Sequence, residues 1–410
     1  MTPSAPFIPP WFSLPEVQRL VAAFSKKPDA LRFVGGAVRD SLLGHDVHDI
    51  DAATPCLPEE TMALLEQAGI KAIPTGIAHG TITAVVDGRQ FEITTLRSDV
   101  ACDGRHAQVA YTDSWKQDAA RRDFTINALY LSPQGRLDDY FDGAADLKAG
   151  RVRFIGDPVQ RIAEDRLRIL RFFRFHARFA QGSIDSAALG ACKAAAPQID
   201  ALSGERIQKE LLALLALKNA GATLAVMETH GILEHALGFT SRCAAYLSRC
   251  EEIEALMQHP VAAHLKLMFF IQGQPQPAAA LTALAARLRL SNHMLGELEI
   301  LLRYLSECHL SLSEARQKQL IRRMGKALFM AAVIFRWSAE NDEVAASHPC
   351  CRMIHLAQSW QPPEFPVRGE DLLAAGMTPG KALGAALQRL EQAWEDADYT
   401  LGKNALLALL

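Results

Sequence analysis

The chain has 410 residues, of which 49% are apolar and 22% charged, with a formal net charge of −3. That length exceeds one ordinary core and points to two to four packed units. No apolar run approaches the roughly 20 residues that a membrane-crossing helix needs, and a charge so near zero gives no global sign of nucleic-acid binding, which leaves only local charge to supply it.

The first twelve residues are Pro-rich and carry neither a basic n-region nor a long apolar stretch, so they match no secretory or transit leader. The eight cysteines form no CxxC pair and no zinc spacing. They read as thiols of a reducing compartment, which makes the cytoplasm the expected location.

Short apolar runs at Leu31–Val34, Ile50–Ala53, Thr81–Val86 and Phe91–Leu96 predict strands. Between them, Ala37–Leu43 and Pro58–Gln67 predict helices closed by Gly44 and Gly69. The strand between 31 and 34 runs into Gly35-Gly36-Ala37-Val38-Arg39-Asp40. Two glycines before a helix free backbone N–H groups for a triphosphate, with Gly36 beneath it and Arg39 on the first turn to clamp it.

His48-Asp49-Ile50-Asp51 follows. In a strand, i and i+2 share a side, so Asp49 and Asp51 aim two carboxylates at one point while Ile50 turns into the core. Such a pair suits hard cations, and paired Mg²⁺ ions can grip both the attacking and the leaving oxygen of a phosphoryl transfer. Glu92, in the next strand, reads either as a third carboxylate or as a surface glutamate.

In Arg121-Arg122-Asp123-Phe124-Thr125-Ile126-Asn127, a helix would place Asp123 and Asn127 on one face. With Arg122 beside them, they suit a ribose and a phosphate; Asp123 also suits a helix N-cap.

After about residue 155 strand signals stop, and Ala- and Leu-rich helical patterning runs to the end. Arg151–Arg178 holds eight arginines against Asp157, Glu164 and Asp165, a local charge of +5. Within it, a helix over Glu164–Arg174 makes Asp165 and Arg168 neighbours and puts Arg174 on the opposite side from Asp165. A carboxylate taking an amino hydrogen and a guanidinium giving to a ring nitrogen would accept cytosine and adenine and reject uracil and guanine. Further along, Arg316, Lys318, Arg322, Arg323 and Lys326, and the Gly376–Lys381 turn, are candidate phosphate contacts.

These motifs together resemble the class II CCA-adding enzymes, in the nucleotidyltransferase superfamily that also contains DNA polymerase β. Gly35–Asp40 with Asp49 and Asp51 is similar to the family's metal and triphosphate motif, and Arg121–Ala128 to its ribose motif. Asp139–Leu147 is similar to its hinge motif, Glu164–Arg174 to its base-reading motif, and Gly204–Glu210 to the motif that buttresses the neck helices. Ile77–Thr83 and Asp103–Ala107 look most like the alphaproteobacterial and mitochondrial branch.

The resemblance implies an α+β chain: a mixed-sheet head (1–150), then a helical neck (151–235), body (236–337) and tail (338–410). It implies template-independent addition of C, C and A to the 3′ end of tRNA from CTP and ATP. Mg²⁺ would be held by Asp49 and Asp51, and nucleotide contacts would come from Gly36, Arg39, Arg122, Asp165, Arg168, Arg171 and Arg174. The segment 98–114 would be the loop used in the switch from C to A. No HD-type phosphohydrolase pattern follows residue 240, and no membrane association or obligate protein partner is expected. A poly(A) polymerase, or a partial CC- or A-adding enzyme, is the alternative.

Overall fold

The computed structural model describes residues 6–27, 29–102, 107–340 and 342–410. Two compact units emerge. One runs through residue 214 and takes in 229–236; the other holds 215–228 and 237–410. The expected four-part division is finer than this.

The first unit carries the strands β1 (Arg32–Val34), β2 (Asp51–Thr54), β3 (Lys71–Gly76), β4 (Thr81–Val86), β5 (Arg89–Thr95), β6 (Arg97–Cys102), β7 (Ala107–Tyr111), β8 (Leu129–Leu131) and β9 (Leu137–Asp139). Among the described residues they form a seven-stranded sheet in the order β3-β4-β5-β2-β1-β8-β9 and a separate β6–β7 hairpin. The β2–β5 pair is parallel, with Ala52 opposite Ile93, and its neighbours are antiparallel. Alternation explains β4 and β5: Ile82, Ala84 and Val86 are buried, as are Phe91 and Ile93, while Glu92 between them is exposed.

Five helices frame the sheet: α1 (Pro15–Ala23), α2 (Gly36–Leu42), α3 (Pro58–Gln67), α4 (Trp115–Ala120) and α5 (Gly143–Lys148). The predicted glycine stops are real. Gly44 and Gly69 take φ of +73° and +66°, left-handed positions where a side chain would be strained. The sequence pattern missed β3 and β6–β9. Asp103–His106, part of a motif noted above, lies outside the described residues.

Beyond the sheet come α6 (Pro158–Glu164), α7 (Arg168–Phe179), α8 (Ser186–Ala195) and α9 (Gly204–Leu215). One face of α7 buries Ile169, Leu170, Phe172 and Phe173. Phe124 bridges to Phe154 in extended backbone. Phe154 stacks on Phe172 at 5.4 Å, and Phe124 meets Phe175 at 5.3 Å. This aromatic cluster seats α7 against the turn that follows α4, each buried ring contributing on the order of 2 kcal/mol.

Two sequence expectations change here. Glu164–Arg174 is not one helix: Asp165 turns extended (φ −150°, ψ 108°) after α6, and α7 starts at Arg168. Nor are Asp123 and Asn127 on an α-helix. Phe124 is extended for its pairing with Phe154, so only a 3₁₀ turn, Thr125–Asn127, can follow.

In the second unit the described elements are helical. Its central helix, Lys326–Ser338, buries Phe329, Ile334, Phe335 and Trp337 completely. The basic residues of Glu314–Met324 pair within the chain: Arg322 with Glu391 and Glu395, Arg323 with Glu395, Lys318 with Asp398, Arg316 with Glu307. Lys326 donates to the Gln358 carbonyl. Those cations therefore tie their helix to the Lys381–Asp396 helix and its neighbours.

Candidate active site

Gly35 caps α2 with φ +70° and ψ −124°, a conformation open to glycine. A β-carbon on Gly35 would stand 3.7 Å from Arg122 Nη1, and one on Gly36 would stand 3.7 Å from Arg39 Nη2. Both distances are ordinary contacts, so the turn needs glycine at 35 for its left-handed backbone, and the two guanidinium groups lie directly beside it. A cleft of about 770 Å³ opens there, and its walls include Gly36, Arg39, Asp49, Asp51, Arg122, Asp123, Asn127, Arg171 and Arg174. Residues far apart in the chain meet at one place.

Arg39 is 5% exposed. Its Nε donates to Asp40 at 2.8 Å and its Nη1 to Asn127 Oδ1 at 2.5 Å, while its guanidinium lies 4.4 Å from the Phe179 ring. Asn127 in turn donates to Asp123 Oδ1 at 3.0 Å, so the predicted Asp123–Asn127 partnership survives on the 3₁₀ turn. Asp123 Oδ2 accepts from Arg171. Burial works to raise the Asp123 pKa, but Arg171 and Asn127 outweigh it and hold the carboxyl below its usual range. Arg174 Nε donates to Glu210 Oε2 at 2.5 Å.

Asp49 and Asp51 both line the cleft and Ile50 between them is buried, although β2 begins only at Asp51, so Asp49 and Ile50 come from the segment that leads into the strand. Asp51 precedes the Ala52–Ile93 pair in register, which sets exposed Glu92 beside it although Glu92 is not a wall of the cleft. Burial, then the Glu92 charge, pushes the Asp51 carboxyl up to about 6, against the pull of Arg122; Asp49 adds to the rise. Acids that repel one another at a wet cleft offer the oxygen donors that a hard divalent cation takes. Another acid–histidine group, Glu340, Asp342 and His348, lies in the second unit. His348 Nδ1 accepts from the Cys350 N–H, so its neutral ring carries its proton on Nε2 and has no lone pair there for a metal.

Asp165 and Arg168 are not walls of the cleft and do not pair with each other. Asp165 Oδ2 takes Arg206 Nη2 at 2.7 Å, whereas Arg168 Nη1 gives to Glu164 at 2.6 Å and its Nη2 to the Arg121 carbonyl. The Arg168 N–H still bonds the Asp165 carbonyl at 3.0 Å, so the break at 165–167 keeps the backbones together and sends the two side chains to different partners. Most other arginines of the basic segment also meet acids: Arg151 and Arg153 meet Asp146, Arg161 meets Glu164, and Arg178 meets Asp40, while Arg166 donates to the Gln198 side chain. The local charge of +5 is largely balanced by acids from elsewhere.

The sequence reading missed Lys209 and Phe175 as walls of the cleft, and placed Arg206 and Glu210 only as buttresses. A signal was present. Residues 206, 209, 210 and 213 recur at i, i+3, i+4 and i+7, one stripe of α9, and all four face the cleft.

Residues 31–153 match the poly A polymerase head domain, and residues 183–242 match a region described as a probable RNA and SrmB-binding site of polymerase A. Across the whole chain, the mitochondrial CCA tRNA nucleotidyltransferase 1 of Mus musculus is 33% identical, covering 96% of this chain and 89% of that protein. The chain belongs to the CCA-adding tRNA nucleotidyltransferases. A bacterial member, the CCA-adding enzyme of Enterococcus faecalis, is 31% identical over 88% of this chain and 86% of its own. The fold agrees: the Bacillus stearothermophilus CCA-adding enzyme, solved in complex with CTP, superposes with a TM-score of 0.76 at 23% identity, covering 97% of both chains. The Thermotoga maritima CCA-adding enzyme, solved with tRNA, gives 0.65 at 22% identity, covering 95% of this chain and 93% of its own. Among the described residues of this family member, no helix is long and apolar enough to cross a membrane.

Proposed function

We infer that this chain adds C, C and A in turn to the 3′ end of tRNA, using CTP and ATP and releasing pyrophosphate. The observation that carries the reading is the meeting of Asp49 and Asp51 with Arg39, Arg122, Asp123, Asn127, Arg171 and Arg174 around one cleft. Two acids opposite several guanidinium groups suit a triphosphate, whose charge needs donors on one side and a cation bridge on the other.

In this reading Asp49 and Asp51 hold Mg²⁺, with Glu92 as a third carboxylate beside them. Bound there, the ion would lower the pKa of the tRNA 3′-hydroxyl and neutralise charge on the leaving pyrophosphate. Arg39 and Arg122 hold phosphate oxygens near the glycine turn. Asp123 and Asn127 take the ribose, and Arg171 and Arg174 extend the wall toward the base. Asp165 accepts the base's amino hydrogen and Arg168 gives to its ring nitrogen. To do so, Asp165 exchanges Arg206 for the base, and Arg168 exchanges Glu164. The helices after residue 151 serve as neck, body and tail for a tRNA read by shape, as one enzyme serving many tRNAs requires. Thiols buried throughout both units suit a reducing setting, and we place the chain in the cytoplasm.

The test uses tRNA ending before CCA. With CTP alone the product grows by two residues, with both nucleotides by three, and then it stops. An ATP-only ladder would instead mean poly(A) polymerase, which the similarity to CCA-adding enzymes over most of the chain does not favour.

A further inference from the structure

We propose that Asp118 is a positioning residue that aims Arg122 into the cleft and ties that aim to the root of the β6–β7 hairpin. Asp118 sits on α4 and is 1% exposed, yet it is not a wall of the cleft. An acid inside a core costs several kcal/mol unless hydrogen bonds and opposite charge surround it.

Here they do. Oδ2 accepts from Tyr130 Oη at 2.6 Å and from Arg122 Nη2 at 3.3 Å. Oδ1 accepts from Arg121 Nε at 2.9 Å and Nη2 at 2.7 Å, and from the Arg97 backbone N–H at 3.2 Å. Tyr130 Oη closes the ring by accepting from Arg122 Nε at 3.0 Å.

A guanidinium is flat and rigid, so fixing Nε and Nη2 fixes the third nitrogen. That nitrogen, Nη1, is the one that stands at the Gly35 turn, where a β-carbon would be 3.7 Å away. Asp118 and Tyr130 together therefore set where Arg122 points. Arg97 opens β6 and pairs across the hairpin with Tyr111, so a shift of the hairpin root pulls on Oδ1 of the same carboxylate. Chain geometry, hairpin and cleft share one acid.

The inference rests on the reading that Arg122 holds the incoming triphosphate. A side chain that only supports the fold would lower thermal stability and kcat and leave KM alone. A positioning side chain acts on KM through its client. The test measures kcat and KM for CTP and ATP in Asp118→Asn, Tyr130→Phe, Arg122→Ala and the Asp118→Asn/Arg122→Ala double variant. The expected result is a rise of about tenfold in KM for both nucleotides in Asp118→Asn, with kcat nearly unchanged. In the Arg122→Ala background the same substitution adds nothing further. Tyr130→Phe, which keeps the ring in the core, gives a smaller rise in KM and stands in if Asp118→Asn does not fold. An equal KM effect in both backgrounds overturns the positioning role while leaving Arg122 as a nucleotide contact. An unchanged KM in Arg122→Ala overturns both.

Discussion

Arg171 reaches across from α7 to grip Asp123, its Nε and Nη2 both meeting Oδ2, at 2.7 and 2.6 Å. Asp123 is 8% exposed and lies on the turn that also carries Asn127. One ion pair thus joins the sheet-borne turn to the helix that carries Arg174.

Removing that pair should disturb both stability and binding. Arg171→Ala leaves a buried carboxylate whose Oδ1 keeps Asn127 and the Phe124 N–H while Oδ2 loses its donor, a loss of about 2 kcal/mol. Urea unfolding should register it, and KM for CTP should rise. Arg171→Lys should recover part of the stability and little of the KM, because an ammonium cannot give both hydrogen bonds in one plane. Unchanged KM in Arg171→Ala would remove this residue from the nucleotide site.

Gly143 begins α5, packed against the Thr125–Asn127 turn. A β-carbon there would land on the Thr125 carbonyl, which is backbone and cannot swing aside. Gly143→Ala should destabilise the chain by about 2 kcal/mol and raise KM by shifting Asn127. A variant with native Tm and native KM would mean that the turn tolerates the displacement.

Much of this site was legible because its pieces are local. The glycine pair before α2, the alternation of Asp49, Ile50 and Asp51, and the Asp123–Asn127 spacing each depend on a few residues of backbone. What escaped was set by tertiary contact. Phe124 pairs with Phe154, which replaces a helix by a 3₁₀ turn. The extended Asp165 turns its side chain away from that of Arg168, so each takes a partner that spacing alone does not suggest: Arg206 from α9, and Glu164 from α6. The arginine-rich segment looked like an open basic surface because Asp40, Asp123, Asp146 and Glu210, which balance it, lie up to 138 positions away in sequence. Strands of three residues such as β8 and β9 are too short to show a period.

In the second unit, burial pushes the Glu251 carboxyl up to about 7 from the ordinary 4.5. Because the folded pKa is raised, the folded state keeps a proton that the unfolded chain has released. Its contribution is therefore full below about pH 4.5 and is lost as pH rises through about 7. Glu251→Gln removes the titration and keeps an oxygen for the Gly221 N–H, 3.0 Å away in the native chain. Tm of the variant relative to native should climb between about pH 5 and about pH 8. A constant difference over that range would contradict the assignment.

In the proposed reading Asp49 and Asp51 hold the metal at which nucleotides are joined. Single-turnover extension of tRNA lacking its CCA end, with native chain, Asp49→Asn and Asp51→Asn, decides it. Burial and the neighbouring acids already disfavour charge on Asp51, so its neutral replacement should fold normally. The native chain should add C, C and A, and the rate should fall by about 10³ or more in each variant, the several kcal/mol that the ion supplies. Folded variants that extend the tRNA at the native rate would contradict it.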